Sequence, residues 1–197
     1  MSLAELTITD PAPPRRKMTI DEFLALPDDG VDRMLLDGEV WEMGTTMRNR
    51  SHGKVAARIT ARLSNWNETQ PTPRGEVTVG DTGFWLRGEP GSMVGPDVAY
   101  ASAELVANIP DELAYYQGPP VLAVEVLSPS DKLEDIVAKV FRYLEVGTIV
   151  WEVNSHFRRV HVHRQGLPVE SYNITQELVG DPYLPGFRVT IADIFNV

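Results

Sequence analysis

One acidic residue of this chain lies where the sequence predicts a buried strand. Glu125 stands inside the apolar run VLAVEVL at residues 121–127, which is rich in β-branched residues and typical of a central strand. Burying a lone carboxylate costs several kcal/mol unless the group is paired or binds a metal ion. Glu125 is therefore either bonded to a nearby arginine or lysine, or part of a metal site, and the sequence leaves both readings open.

A second carboxylate, Asp97, stands at the entrance of another predicted strand, directly after Pro96. A simple turn aspartate would occupy the same place. If the two strands are adjacent, however, Asp97 and Glu125 could hold one hard divalent cation between them. Mg²⁺ prefers oxygen ligands and keeps several of its waters, so two carboxylates and a backbone carbonyl suffice.

The third candidate is Lys139, in the helix predicted to follow Glu125. It flanks the apolar face of that helix, so its ammonium could reach back over the edge of the sheet. There it could orient an attacking water and stabilise negative charge on a phosphate. An ordinary helix lysine, with its stem along apolar surface, would occupy the same position.

The elements that position these residues alternate between helices and strands. Helical spacing of apolar residues predicts a helix from about Ser51 to Trp66. A strand–helix–strand unit is predicted over residues 121–153, with its helix starting at residues 128–131 and ending at Gly147. The order of elements indicates an α/β (α+β) fold, a mixed β-sheet flanked by helices.

Shorter signals precede that unit. Thr19 and Glu22 form a capping-box pattern at the start of a short helix. Asp37-Gly38 predicts the tight turn of a hairpin over residues 33–43. We expect residues 1–17 to form a flexible tail and residues 18–197 to form a single domain.

Composition excludes several classes of protein. The 197 residues include no cysteine, which excludes thiolate metal sites and cysteine nucleophiles, and no apolar run is long enough to span a bilayer. A cytoplasmic protein that does not bind membranes is therefore expected. The 18 basic and 28 acidic residues give a net charge of −10, which argues against broad binding of nucleic acid. A nuclease would still need only clustered carboxylates and a local basic strip.

Pro96-Asp97 followed by Glu125-Val126-Leu127 resembles the PD-(D/E)XK nuclease motif. Leu127 replaces the lysine of that motif, and Lys139 stands where some branches of the superfamily take the lysine from the following helix. The wider pattern is similar to the restriction-endonuclease family also called Uma-two. Its elements are Leu36-Asp37-Gly38-Glu39 with Met43, His52, Pro96-Asp97-Val98-Ala99, Glu125-Val126-Leu127-Ser128-Pro129-Ser130, Lys139 with Tyr143, Gly147, and Leu184-Pro185-Gly186-Phe187.

The resemblance implies a restriction-endonuclease-like fold and assigns roles to the residues that match. Asp97 and Glu125 would bind Mg²⁺, or alternatively Mn²⁺, with help from the backbone carbonyl of Val126. Lys139 would be the catalytic lysine. Glu39 and His52 match recurrent positions of the family. Glu39 would add a ligand or hold Lys139, and His52 would orient a water or a phosphate, unless it is simply a buried core histidine.

Substrate could be held by a basic stripe on the helix that carries His52. Lys54, Arg58 and Arg62 are four residues apart, and Arg48 and Arg50 precede them. They could contact DNA phosphates, although a solvated helix face would have the same pattern. His161 and His163, with His156 nearby, form a pair two residues apart that could bind zinc or nickel. No carboxylate or cysteine completes a convincing metal set in the sequence, so the polar face of an exposed strand is the preferred interpretation.

These observations lead to a hypothesis and two rivals. The hypothesis is a Mg²⁺-dependent endonuclease that hydrolyses phosphodiester bonds in DNA, and that forms a homodimer. One rival is a non-catalytic binding or assembly protein on a nuclease scaffold. The other is a hydrolase of small phosphoesters, which would have no polymer to be repelled by the acidic surface.

Overall fold

The computed structural model describes residues 17–42, 49–87, 90–110, 113–129 and 131–196. Met43, Arg48, Ser130 and residues 1–16 of the predicted tail lie outside the described residues, so the division into a tail and one domain stays a prediction. The helices are α1 (Ile20–Leu24), α2 (Arg50–Glu68), α3 (Ala103–Ala107), α4 (Leu133–Glu145) and α5 (Ile191–Phe195). The strands are β1 (Arg33–Leu36), β2 (Glu39–Glu42), β3 (Glu76–Val79), β4 (Phe84–Arg87), β5 (Ser92–Val94), β6 (Val98–Ala101), β7 (Leu122–Leu127), β8 (Ile149–Asn154), β9 (Arg159–His163), β10 (Glu170–Asn173), β11 (Glu177–Val179) and β12 (Arg188–Thr190).

A six-stranded mixed sheet forms the centre of the fold, in the order β10-β9-β8-β7-β6-β3. Strands β7 and β8 are parallel and are connected through α4, whereas the other neighbouring pairs are antiparallel. A four-stranded sheet (β2-β1-β5-β4) and a two-stranded sheet (β11-β12) accompany it. The predicted α/β architecture, a mixed sheet flanked by helices, is confirmed.

Helices cover both faces of the central sheet because side chains of β7 alternate between them. Val124 and Val126 pack in the core that contains α2, whereas Ala123 packs in the core that contains α4. Helix α2 buries Val55, Ile59, Leu63 and Trp66, the residues whose spacing predicted it. Its first turn is capped by Asn49, which accepts the His52 backbone N–H at 2.9 Å.

Local signals account for several further elements. Asp37 and Gly38 have φ angles of +49° and +78°, as a tight hairpin turn between β1 and β2 requires. The capping box of Thr19 and Glu22 is present at the start of α1. Gly147 follows α4 with φ of +82°, which matches the predicted helix end.

The start and the exposed face of α4 differ from the prediction. The helix begins at Leu133, and just before it the Asp131 carboxylate accepts the Ser128 backbone N–H at 2.7 Å. Leu133 and Val137 are 75% and 57% exposed, although apolar residues of a helix beside a sheet normally face the sheet. Lys139 is buried in the place that an apolar residue would normally fill.

No helix among the described residues combines the length and the apolarity that crossing a membrane requires.

Packing of α2 on the sheet makes a quantitative prediction. Leu63 is fully buried, whereas Leu167 is 56% exposed in a turn. Leu63→Ala should lower the free energy of unfolding by about 2–5 kcal/mol, because the lost contacts leave a cavity. Leu167→Ala, the same chemical change at the surface, should change it by less than about 0.5 kcal/mol. Urea unfolding followed by circular dichroism measures both, and equal effects would contradict the assignment of this core.

Candidate active site

The pairing of β6 with β7 brings Asp97 and Glu125 together although they lie 28 positions apart in the sequence. Val98 pairs with Val124 in antiparallel register, so continuing the register by one residue sets Asp97 opposite Glu125. Residues that oppose each other across a strand pair share a face of the sheet. The two carboxyl groups therefore lie side by side just beyond the end of the β6–β7 pairing, on the side covered by α4.

The backbone before Asp97 is held closely against a neighbouring turn. A Cβ atom on Gly95 would lie 2.5 Å from the carbonyl oxygen of Asp81, so only glycine fits this approach. The Asp97 carbonyl accepts the Gly80 N–H at 3.2 Å. These contacts fix where the Asp97 side chain leaves the chain.

The Asp97 carboxylate is 8% exposed and has two close partners. Its Oδ2 accepts the backbone N–H of Val126 at 2.7 Å, and its Oδ1 lies 3.0 Å from Nε2 of His52. Burial alone would raise the pKa of Asp97, but the contacts with His52 and with the Val126 N–H outweigh it, so this pKa lies below its usual value. Asp97 is therefore held as a carboxylate.

His52 is buried at the start of α2, with 5% of its surface exposed. Although Nε2 is close to Asp97, the N–H direction is poorly aligned with the carboxylate oxygen, and this buried nitrogen makes no hydrogen bond of good geometry within the described residues. The structure thus brings His52 to the site. Its predicted role toward a water or a phosphate stays a prediction.

Glu125 is held by two side chains of α4. Its Oε2 accepts Lys139 Nζ at 2.7 Å, and its Oε1 accepts the Tyr143 hydroxyl at 3.0 Å. Burial is the largest influence and raises the pKa of Glu125 to about 7, against the opposing effect of the Lys139 ammonium. Of the two alternatives for Glu125, the pairing with a lysine is thus observed. The metal site stays a prediction.

Lys139 is 9% exposed and makes a second bond, to the Gly95 carbonyl at 3.3 Å. An ammonium has three N–H donors, so one remains after these two bonds. Because Gly95 belongs to the loop that carries Asp97, Lys139 joins α4 to both acidic strands. It reaches back over the sheet as its position in the helix predicted.

Two residues near the site were not assigned a role from the sequence. Tyr143 is fully buried, and burial together with the neighbouring Glu125 raises its pKa well above the usual value, so it donates as a neutral phenol. The sequence signal that could have identified Tyr143 was its spacing of four from Lys139, which places both residues on one face of the helix. Glu152 lies opposite Glu125 across the parallel β7–β8 pair and 3.2 Å from Nε2 of His163. The matching runs VEV and WEV could have revealed that alignment.

The structure does not bring Glu39 to these residues. It is exposed on β2, in the four-stranded sheet, and makes no side-chain hydrogen bond or ion pair in the part of the chain that the structure describes. A ligand role for Glu39, or a contact with Lys139, therefore has no support from the geometry and stays a prediction.

The basic stripe of α2 is divided by its contacts with the C-terminal helix. Arg58 donates to the Asn196 side chain at 2.7 Å and to the Asp193 carbonyl at 3.3 Å, and Arg62 lies 3.6 Å from the Asp193 carboxylate. Lys54 is exposed and makes no ion pair with any described residue. Of the three predicted substrate contacts, Lys54 is thus the most available.

The donors at the site fit a hard divalent cation of small size. Among the described residues no cluster of three or more histidine, cysteine or acidic side chains could hold a metal ion. Two carboxylates and the nearby Val126 carbonyl remain, all oxygen donors, which suits Mg²⁺ because it keeps several waters. Each carboxylate has about four acceptor positions and uses two, so capacity for a cation is left.

Comparisons with known proteins identify the fold and the family of this chain. A solved structure titled "a putative nuclease belonging to DUF820 from Anabaena variabilis ATCC 29413" superposes with a TM-score of 0.77 at 16% sequence identity, covering 91% of this chain and 98% of that one. At that identity the likeness shows the fold. No curated protein sequence matches the chain. The pattern of one sequence family, described as "Uma2: Putative restriction endonuclease", matches residues 20–192. The chain therefore belongs to the Uma2 family of restriction-endonuclease-like proteins.

Proposed function

We propose that this protein is a Mg²⁺-dependent endonuclease of the PD-(D/E)XK type that hydrolyses phosphodiester bonds in DNA. The observation that supports it is the convergence of Asp97 and Glu125 with the Lys139 ammonium, which lies 2.7 Å from Glu125. Membership of the family supports a nuclease in general. The metal, the residue roles and DNA as substrate are parts of the proposal.

The residues that would hold Mg²⁺ are Asp97, Glu125 and, through its carbonyl, Val126; Mn²⁺ would fit the same oxygen donors. When bound, the cation would polarise the scissile phosphate and make water a stronger nucleophile at neutral pH. The Val126 N–H and His52 keep the Asp97 carboxylate in place. We assign His52 as a positioning residue that acts through Asp97.

Lys139 supplies the positive charge on the protein side. Its third N–H can donate to the attacking water or to a phosphate oxygen, where it would offset the negative charge that develops at phosphorus. In the reaction the water oxygen bonds to phosphorus and the bond from phosphorus to one ester oxygen breaks. One product keeps the phosphate monoester, and the departing oxygen takes a proton to become a hydroxyl.

The two rival functions make different demands on this site. A binding or assembly protein needs no metal affinity at Asp97 and Glu125. In such a protein the burial of two adjacent carboxylates would lower stability and serve no function. A hydrolase of small phosphoesters would use the same site but needs no extended cationic surface. Calorimetry with Mg²⁺ separates the first rival from the proposal, and DNA binding separates the second.

Homodimer formation and a cytoplasmic location stay predictions. Helix α4 presents three exposed apolar side chains spaced four residues apart: Leu133, Val137 and Phe141. Covering them with a second copy would remove apolar surface from water. Sedimentation velocity should show a dimer for the wild type and a monomer for Phe141→Glu, with Leu167→Glu behaving as the wild type. A wild-type chain that is monomeric at all concentrations would contradict the homodimer.

Removing site residues should abolish cleavage. Supercoiled plasmid DNA with Mg²⁺ should be nicked by the wild type, and Asp97→Asn or Lys139→Met should lower the rate by roughly 100-fold or more, because the first removes a charged metal ligand and the second removes the positive charge that offsets the negative charge at phosphorus. Asp29→Asn is the matched control, since it removes an exposed carboxylate paired with Arg33. Equal nicking by all four proteins would show that the cleavage comes from another site or from a contaminant.

Mg²⁺ affinity should depend on pH through Glu125. With a pKa of about 7 this carboxyl is mostly protonated near pH 6 and mostly ionised near pH 8, and only the ionised form binds a cation. The affinity should therefore rise about tenfold between those pH values. Tyr143→Phe removes a hydrogen bond to the ionised form, so the midpoint should move to higher pH. Calorimetry without DNA measures this, and affinity independent of pH would contradict it.

A further inference from the structure

A groove of about 400 Å³ runs along the first turns of α2, on the side that faces the turn between β8 and β9. Its charged lining residues are all basic: Arg50, Lys54 and Arg58 from α2, and Arg158 from the turn. The remaining lining is serine and apolar side chains. The groove is thus a positively charged region of a chain whose net charge is −10.

Three of these four cations have neither a side-chain hydrogen bond nor an ion pair with any described residue. Arg58 is bonded to α5, but Arg50, Lys54 and Arg158 are exposed and have no ion pair with any residue that the structure describes. Three close cations repel one another, and the first turn of α2 contains no acidic residue to complement the helix dipole. An anion in the groove would reduce the repulsion among the cations and would complement the helix dipole.

The turn places Arg158 against α2 by a specific backbone arrangement. Asn154 Oδ1 accepts the backbone N–H groups of His156 and Phe157 at 3.1 and 3.0 Å, which closes the turn. Arg158 follows in the left-handed region with φ of +50°. That conformation is unfavourable for a side-chain-bearing residue, and here it lets the side chain line the groove.

The groove adjoins a second cavity, and several lining residues of that cavity are close in sequence to residues of the candidate active site. Ser51, Ser155 and Arg158 line both the groove and a larger cavity of about 780 Å³ over the ends of β7 and β8. That cavity is also lined by Leu127, two residues after Glu125, and Ile136, three residues before Lys139. On the α2 side, Ser51 is followed directly by His52, which contacts Asp97.

We propose that Arg50, Lys54 and Arg158 bind the phosphodiester backbone of DNA beside the bond to be cleaved. This inference rests on the proposed nuclease function and names a surface that the substrate would follow. Arg50 and Lys54, one helical turn apart, are separated by about 6 Å along the axis, on the scale of neighbouring phosphates of one strand. Arg58 then belongs to the structural contact with α5, and Arg158 takes the place that the sequence assigned to Arg62.

Binding is tested without cleavage, by fluorescence anisotropy of a short labelled DNA duplex in EDTA across a series of salt concentrations. Each phosphate contact contributes roughly 0.9 to the slope of log affinity against log salt. Arg50→Ala, Lys54→Ala and Arg158→Asn should each lower the slope by about one, and the triple variant by about three. Asparagine is chosen at 158 because it tolerates the left-handed conformation.

Arg74→Ala is the matched control. Arg74 is exposed and lies beyond the opposite end of α2, a helix about 28 Å long, and the substitution removes the same charge from the protein. Its slope should equal that of the wild type. If the groove variants behave like Arg74→Ala, or if the wild type does not bind DNA in low salt, the inference is overturned.

The nuclease function is judged separately, by plasmid cleavage with Mg²⁺. Wild-type protein that binds DNA through the groove but never cleaves it would support the proposed DNA-binding groove and contradict the proposed nuclease activity. Protein that cleaves DNA while the groove variants bind as tightly as the wild type would support the nuclease and overturn the groove.

Discussion

Two acidic side chains lie next to each other inside this protein, and much of the surrounding structure compensates for their burial. Asp97 and Glu125 oppose each other at the end of a strand pair, where Coulomb repulsion and lost hydration both disfavour two charges. Each carboxylate therefore has two close polar partners: the Val126 N–H and the His52 ring for Asp97, and two α4 side chains for Glu125. These partners come from α2, from β7 itself and from α4, so the pair ties both helical layers to the central sheet.

The same compensation need not add stability. Replacing a buried ion pair with apolar residues of similar volume is often neutral or stabilising. A leucine at 125 and a methionine at 139 would continue the apolar packing of β7 and α4 without any charge. The polar arrangement instead holds two carboxylates and one ammonium group in fixed positions within the core. An exposed loop would not fix such groups in the same way.

Local patterns predicted much of this architecture, because hairpin turns, caps and helical spacing depend on nearby residues. The turn at Asp37-Gly38 and the buried face of α2 are examples. The sequence identified Glu125 as a candidate site residue, because a charged residue inside an apolar strand must be paired or bind a metal ion. What could not be predicted depends on contacts between distant segments: α5 binding Arg58, Arg158 lying beside α2, and the exposure of Leu133. Helical periodicity identifies a face but not which element covers it.

The first turn of α2 links the candidate active site to the basic groove. His52 points inward to Asp97, whereas Arg50 and Lys54, two residues to either side, line the outer groove. Residues two apart on a helix face away from each other, so one rigid turn can contact the buried carboxylate on one side and carry exposed cations on the other. A polyanion held by those cations is thereby positioned relative to Asp97 without any flexible segment between them. If DNA binds as proposed, the net charge of −10 would disfavour its contact with the rest of the surface and so favour the groove.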